Sequence, residues 1–195
     1  RPDALERHAR ESGARVAALV PTVHNPTATV MSAARREEIV AIARRHDLLI
    51  IEDDVYGYNL ADPPPTLQSM APERVIYLSS ASKCLGPGLR CGWIAAPPEW
   101  IGQLVGAGYA TAVTQPATHF EVVCRWIEDG TADELLGRLR TELGQRQEIA
   151  ARIFQGFELG SHPWSFHVLL HLPEGWRGGP FAEAASARGI RVTPV

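Results

Sequence analysis

The sequence predicts an α/β fold: a three-layer, mostly parallel sheet that leads into the start of a small C-terminal α+β domain. Three observations carry this. Four short apolar runs, at 16–20, 48–51, 75–78 and 93–96, are aliphatic or β-branched and lack alternating polar residues, the pattern of strands buried in the middle of a sheet. A helical repeat lies between the first two runs, which makes a βαβ unit. Beyond the fourth run the chain turns helical and then, after Gly160, changes character again.

Taken in order, run 16–20 opens the sheet, and residues 32–46 form its crossover helix, with Ile39, Ile42 and Ala43 at helical spacing and Ser32 as N-cap. Run 48–51 ends in three carboxylates, Glu52, Asp53 and Asp54. Pro63, Pro64 and Pro65 cannot continue a helix or an inner strand, so they mark an exposed, stiff loop before run 75–78. Pro97 and Pro98 break the chain after run 93–96, and residues 133–155 read as a long amphipathic helix. Residues 165–172 read as a strand, 181–188 as a helix and 190–193 as another strand. This divides the chain into part of a large domain (1–130), a connecting helical segment (131–160) and part of a small domain (161–195).

Composition excludes several function classes. At 195 residues and 45% hydrophobic content the chain is an ordinary folded protein. Its formal charge of −3 arises from 19 basic and 22 acidic residues that are scattered, so no basic stripe offers itself to nucleic acid. The seven histidines lie apart, no H-E-x-x-H occurs, and Cys84, Cys91 and Cys124 lack metal-ligand spacing, which argues against a metal-binding module. An odd cysteine count fits a reduced, cytoplasmic setting. No run approaches the roughly 18 apolar residues of a membrane span, residues 1–10 lack the apolar core of a signal peptide, and no internal repeat is present.

The residues that carry chemistry fall at predicted strand ends, where open α/β sheets bind ligands. They are His24-Asn25-Pro26-Thr27, then Glu52-Asp53-Asp54-Val55-Tyr56, then Ser79-Ser80-Ala81-Ser82-Lys83 with Arg90 shortly after. Asn25-Pro26 alone is an ordinary turn, and carboxylates at a strand end are commonly solvated or cap the next element. The third cluster is more specific. Lys83 supplies an amine nucleophile, Ser80 and Ser82 hydroxyl donors, and Arg90 a guanidinium suited to phosphate, while Gly86 and Gly88 let backbone approach a ligand. Cys84 reads as a small buried residue.

Asn-Pro-Thr, then Asp-Asp-Val-Tyr, then Ser-x-Ser-Lys with Pro-Gly-Leu-Arg, in this order and spacing, resembles the cofactor site of class I/II, fold-type-I aminotransferases. The branch it resembles holds the aminoadipate-type aminotransferases and the aminotransferase-like domains of MocR regulators. The likeness runs over nearly the whole chain, including Leu172-Pro173 and residues 189–194. It implies the major domain of a pyridoxal 5'-phosphate-dependent transferase, with Lys83 holding the cofactor as a Schiff base and moving the substrate's α-proton. By the same match Asp53 pairs with the pyridine nitrogen, Asn25 and Tyr56 bond the ring hydroxyl oxygen, and Ser80, Ser82 and Arg90 hold the phosphate. Asp54 is not carried over, because the family contact falls three residues before the tyrosine.

The family's usual Asn-Pro-Thr-Gly ends in Ala28 here. Its upstream glycine-rich loop and ring-stacking aromatic, and its downstream carboxylate-binding arginine, have no counterpart in the chain, which therefore resembles an interior piece of a longer protein. The resemblance implies an enzyme acting on an amino acid and a 2-oxo acid as a homodimer. The alternative is a pyridoxal-phosphate-binding effector domain of a MocR/GntR-type transcriptional regulator. Ser80-Ala81-Ser82-Lys83 also satisfies the S-x-x-K pattern of penicillin-binding proteins, but Gly86-Pro87-Gly88 blocks the helix that motif opens, and neither S-D-N nor K-T-G occurs.

Overall fold

In the computed structural model, which describes residues 1–112 and 116–195, the four apolar runs become four strands of one sheet. The chain enters through α1 (Pro2–Ser12), which has proline in its first turn and is closed by Gly13 in the left-handed region at φ 65°. The sequence reading did not anticipate this helix. Only Leu5 and Ala9 reach the core, while Glu6 bonds Arg45 and His46 of the next helix, so its apolar stripe is too thin to stand out.

Strand β1 (Val16–Leu19) lies parallel to β2 (Leu49–Asp53), with Val16 opposite Leu49, and β2 lies parallel to β3 (Val75–Ser80), with Ile50 opposite Val75. Parallel neighbours need a crossover. The first is α2 (Ala33–Arg45), whose Ser32 cap accepts from the Arg35 amide at 3.4 Å. The second passes the proline loop and a single turn, α3 (Leu67–Met70). Strand β4 (Gly92–Ala95) returns antiparallel to β3, with Ser80 opposite Gly92, because only the short loop 81–91 joins them.

One core cluster joins Ile39, Val40, Ile42 and Ala43 of α2 to Leu48, Ile50, Leu67, Ala71 and Val75. Truncating a residue such as Leu67 there costs about 2–5 kcal/mol. On the same face, one step along β2 from Ile50, lies Glu52, and its partner is Arg36 of α2 at 3.7 Å; both side chains are fully buried. Glu52 also accepts from the Leu67 and Gln68 amides at 2.9 Å each, so the start of α3 is docked on its carboxylate. Arg36 spends its remaining donors on the carbonyls of Pro21, Met31 and Pro65 and on the Thr22 hydroxyl. Losing one member of such a buried pair costs about 3–5 kcal/mol, because the other charge is stranded.

Beyond β4 come α4 (Pro98–Ala112), α5 (Ala117–Glu128) and α6 (Thr131–Ile153). Helix α5 packs on α6. The connecting helix thus stops at Ile153, short of the segment end expected at residue 160. Residues Leu159–Gly160 instead form β5, antiparallel to β6 (Leu169–Leu170), and α7 (Gly178–Ser186) follows. The strand expected over 165–172 shrinks to β6, because Gln147 and Ser165 side chains take up the carbonyls of Ser165 and His167 in place of a ladder. Residues 190–193 do not form the expected strand. They lie exposed with no neighbouring strand among the described residues, and an unpaired strand gains nothing over hydration. Among the described residues no helix is long and apolar enough to cross a membrane.

Candidate active site

Three loops leave the C-terminal ends of β1, β2 and β3, and each carries one of the motifs. The first, residues 21–31, is a closed turn. Its ends meet through Met31 N–H to Pro21 O (2.8 Å) and His24 N–H to Thr29 O (2.9 Å), and Thr27 Oγ1 contacts both His24 Nδ1 and Thr29 Oγ1 at 2.9 Å. The Asn25-Pro26 peptide is cis, and Asn25 projects to solvent at the tip. Ala28, where the family's glycine stands, adopts a positive φ of 56° and is buried, so the turn keeps a left-handed residue despite the Cβ.

The second loop begins inside β2. Alternation along the strand puts Ile50, Glu52 and Asp54 on one buried face and Asp53 on the other, half-exposed face. The Val55 amide donates to Asp53 Oδ1 at 3.3 Å, so this carboxylate keeps most of its acceptor capacity for a ligand. Tyr56 is buried, with its ring 6.2 Å from Phe166 and edge-on to His167 at 5.9 Å. His167 Nε2 in turn lies 3.1 Å from the His24 carbonyl, so the segment before β6 ties the Tyr56 and Asn25 loops together. The approach is close at a second point: a Cβ on Gly160 would come within 2.9 Å of the Thr27 carbonyl.

The third loop follows β3. The Ser82 amide donates to Ser80 Oγ at 3.4 Å, and the Leu85 and Gly86 amides both donate to Ala81 O, which wraps residues 80–86 into a turn and not the helix an acyl-transfer motif would open. Cys84 points inward, its thiol 3.5 Å from Ser80 O and pushed up in pKa by burial. Lys83 points outward, its Nζ 5.9 Å from the centroid of the Tyr56 ring. Arg90, exposed and left-handed at φ 50°, ends the short helical turn Pro87–Leu89.

Of the residues singled out from sequence, the structure therefore brings Lys83 to the Tyr56 ring, puts Asp53 at the end of β2 three residues before Tyr56, and ties the loop that carries Asn25 to Tyr56 through His167, which faces the ring and lies 3.1 Å from His24 O. Ser80, Ser82 and Arg90 share the Lys83 loop, and no described side chain bonds Arg90. An amine over an aromatic ring, a half-free carboxylate at the end of β2, and two hydroxyls and a guanidinium on the Lys83 loop form a donor set matched to an anionic, aldehyde-bearing heterocycle.

The Aminotransferase class I and II family model matches residues 2–152. The chain belongs to that family. Among relatives of the family, an uncharacterized HTH-type transcriptional regulator, YdeF, of Bacillus subtilis is 31% identical over 98% of this chain and 41% of its own length. Aromatic-amino-acid aminotransferase 1 of Thermococcus litoralis is 29% identical over 90% of this chain and 44% of its own. The fold is that of fold-type-I aminotransferases: LysN, the alpha-aminoadipate aminotransferase of Thermus thermophilus, superposes with a TM-score of 0.86 at 25% identity, over 97% of this chain and 51% of LysN. The chain thus spans about half the length of the proteins it matches.

Sequence reasoning missed the residues behind these loops. Asp54 is buried and accepts from the Tyr77 hydroxyl at 3.2 Å, while its Oδ1 has no hydrogen-bond partner. Burial pushes its pKa up, against the opposing pull of the Thr22 and Tyr77 hydroxyls and the Arg36 charge. Burial, with the Asp54 charge, also raises the Tyr77 phenol. The period-two face shared with Ile50 was the available signal. Arg140 of α6 was missed as well, and it donates to the carbonyls of Tyr58, Asn59 and Leu60 at 2.9–3.0 Å.

Proposed function

We propose that the full-length protein is a pyridoxal 5'-phosphate-dependent aminotransferase that moves an amino group between an amino acid and a 2-oxo acid, with Lys83 as the covalent anchor. The observation that carries this is Lys83 Nζ 5.9 Å from the centroid of the buried Tyr56 ring, with Asp53 at the end of β2 three residues before it. LysN, which shares this fold, is a complex with N-(5'-phosphopyridoxyl)-L-leucine. When bound, the cofactor supplies an electron sink for the bonds at a substrate's α-carbon.

The chain's own residues then have distinct tasks. Lys83 would hold the cofactor through its ε-amine, and the same amine, when free, would take a substrate's α-proton and return it. Asp53 would face the ring nitrogen, and the Tyr56 hydroxyl and Asn25 amide would bond the ring oxygen. Ser80, Ser82 and Arg90 would hold the phosphate, with Arg90 as the charged member. Residues 1–130 would form part of the large domain, 131–160 the connection and 161–195 part of the small domain, in a cytoplasmic homodimer. A second reading, an effector-sensing domain of a MocR-type regulator, is favoured by the likeness to YdeF, which covers nearly all of this chain.

The test uses the full-length protein mixed with pyridoxal phosphate, reduced with borohydride and mapped by peptide mass spectrometry. One adduct on Lys83, lost in Lys83→Ala, is expected. Adducts spread over many amines would sink the proposal. Turnover of an amino acid with a 2-oxo acid then separates the readings, since a sensor would keep the adduct and transfer nothing.

A further inference from the structure

Behind the three loops lies a side chain with no assigned role. Asp54 stands between Asp53 and Tyr56 in sequence but points to the opposite face of β2, inward, where it is buried. Its backbone and side chain both touch the end of β3. The Asp54 amide donates to Leu78 O at 2.9 Å, the Ser79 hydroxyl donates to Asp54 O at 3.2 Å, and the Tyr77 hydroxyl donates to Asp54 Oδ2 at 3.2 Å. These contacts fix the loop after β2 to the strand that leads into Ser80 and Lys83. In the loop after β1 the buried Thr22 hydroxyl accepts from Arg36 Nη2 at 3.0 Å.

The carboxylate also occupies the space over Gly57, the residue after Tyr56. A Cβ on Gly57 would fall 2.1 Å from Asp54 Oδ2, so the turn that carries Tyr56 rests directly on this carboxylate. A glycine is required there because the carboxylate fills the room of a side chain.

We propose that Asp54 is a positioning residue: it registers the loop after β2 against the strand that leads into the Lys83 loop, and so sets the geometry in which Asp53, Tyr56 and Lys83 receive the cofactor. The inference rests on the reading of these loops as a pyridoxal-phosphate cradle. Asp54 touches no ligand itself. It acts by holding Tyr56 at the height of Lys83 and by keeping Tyr77 from turning to other partners, in the way that outer residues orient the groups that make contact.

The experiment measures pyridoxal phosphate affinity, by absorbance titration, and the unfolding midpoint of the cofactor-free protein in the full-length chain. Four forms are compared: wild type, Asp54→Ala, Asp54→Asn and Leu67→Ala. Leu67→Ala empties the core away from the loops and serves as a control of comparable instability. Asp54→Ala is expected to weaken cofactor affinity by about tenfold or more, the scale on which loss of an orienting partner weakens a site. Asp54→Asn fills the same space and still accepts from Tyr77, and should restore affinity to within about threefold of wild type. Leu67→Ala should lower the midpoint and leave affinity unchanged.

Wild-type affinity in Asp54→Ala would overturn the proposal, as would equal losses in Asp54→Ala and Leu67→Ala, which would make the effect one of stability alone. If Asp54→Ala does not fold, Tyr77→Phe decides, since it removes the phenol's hydrogen bond and should weaken affinity severalfold; no loss there refutes the idea. A wild-type protein that takes no adduct on Lys83 refutes the cradle itself, and that result is distinguishable because it appears before any variant is made.

Discussion

A carboxylate withdrawn from water, with one oxygen lacking a partner, is held at a cost that depends on its charge. Burial raises the Asp54 pKa above the ordinary 3.8. A group whose proton is bound more tightly in the folded than in the unfolded state lends most stability when protonated, and this is lost as pH rises from the unfolded value through the folded one. Asp54 therefore favours the folded state more at pH 4 than at pH 7, opposite to a salt-bridged carboxylate. Asp54→Asn cannot ionise, so its stability should gain on wild type as pH rises over that range. Urea titrations of the cofactor-free protein at both pH values check this, and a constant difference would show that Asp54 titrates normally. At this scale the three motifs were legible as strand-end loops, because each follows a strand of the sheet, as an apolar run followed by polar residues leads one to expect. Asp54 and Arg36 were not. Charged residues read as solvated by default, and only strand alternation for one and the far side of a helix for the other shows that they point inward.

Among the elements, α6 has the most direct hold on the site. Its Arg140 spans three successive carbonyls, those of Tyr58, Asn59 and Leu60, and so clamps the short helical turn Gly57–Asn59 that follows Tyr56. Arg140→Met should keep the helix, since methionine is a good helix former, yet release that turn. The expected outcome is faster amide exchange at Asn59 and Leu60, whose N–H groups bond Tyr56 O and Gly57 O, with protection across β2 unchanged. Unchanged exchange at both amides would mean that the turn is held by its own hydrogen bonds. Strands β1 to β4, α2 and α6 were legible as elements because each has either an unbroken apolar run or a full helical period. Helix α1 and β5 were not, since five of the 11 residues of α1 are charged and β5 is too short to carry a pattern, while β6 is the remnant of the strand expected over 165–172. The expected strand at 190–193 shows the converse: an apolar run suited to pairing stays irregular where no partner strand lies beside it.

For the whole molecule, α4 poses the largest imbalance. Ile101, Val105 and Tyr109 recur every four residues along one stripe, and Val105 and Tyr109 are 53% and 69% exposed; the helix buries no residue at all. A helix this apolar is ordinarily covered, and the chain spans about half the length of the relatives it matches. Val105→Lys in the full-length protein should therefore cost about 1–3 kcal/mol, the range for placing a charge in packed surroundings, where an exposed site would change by no more than about 0.5 kcal/mol. The concentration dependence of the unfolding midpoint then says what the cover is. If a second subunit covers α4, the variant should sediment as a monomer and its midpoint should lose the dependence on protein concentration that a dimer imposes. If the same chain covers it, the midpoint should fall by the same amount at every concentration. A variant as stable as wild type would show that α4 stays open to solvent.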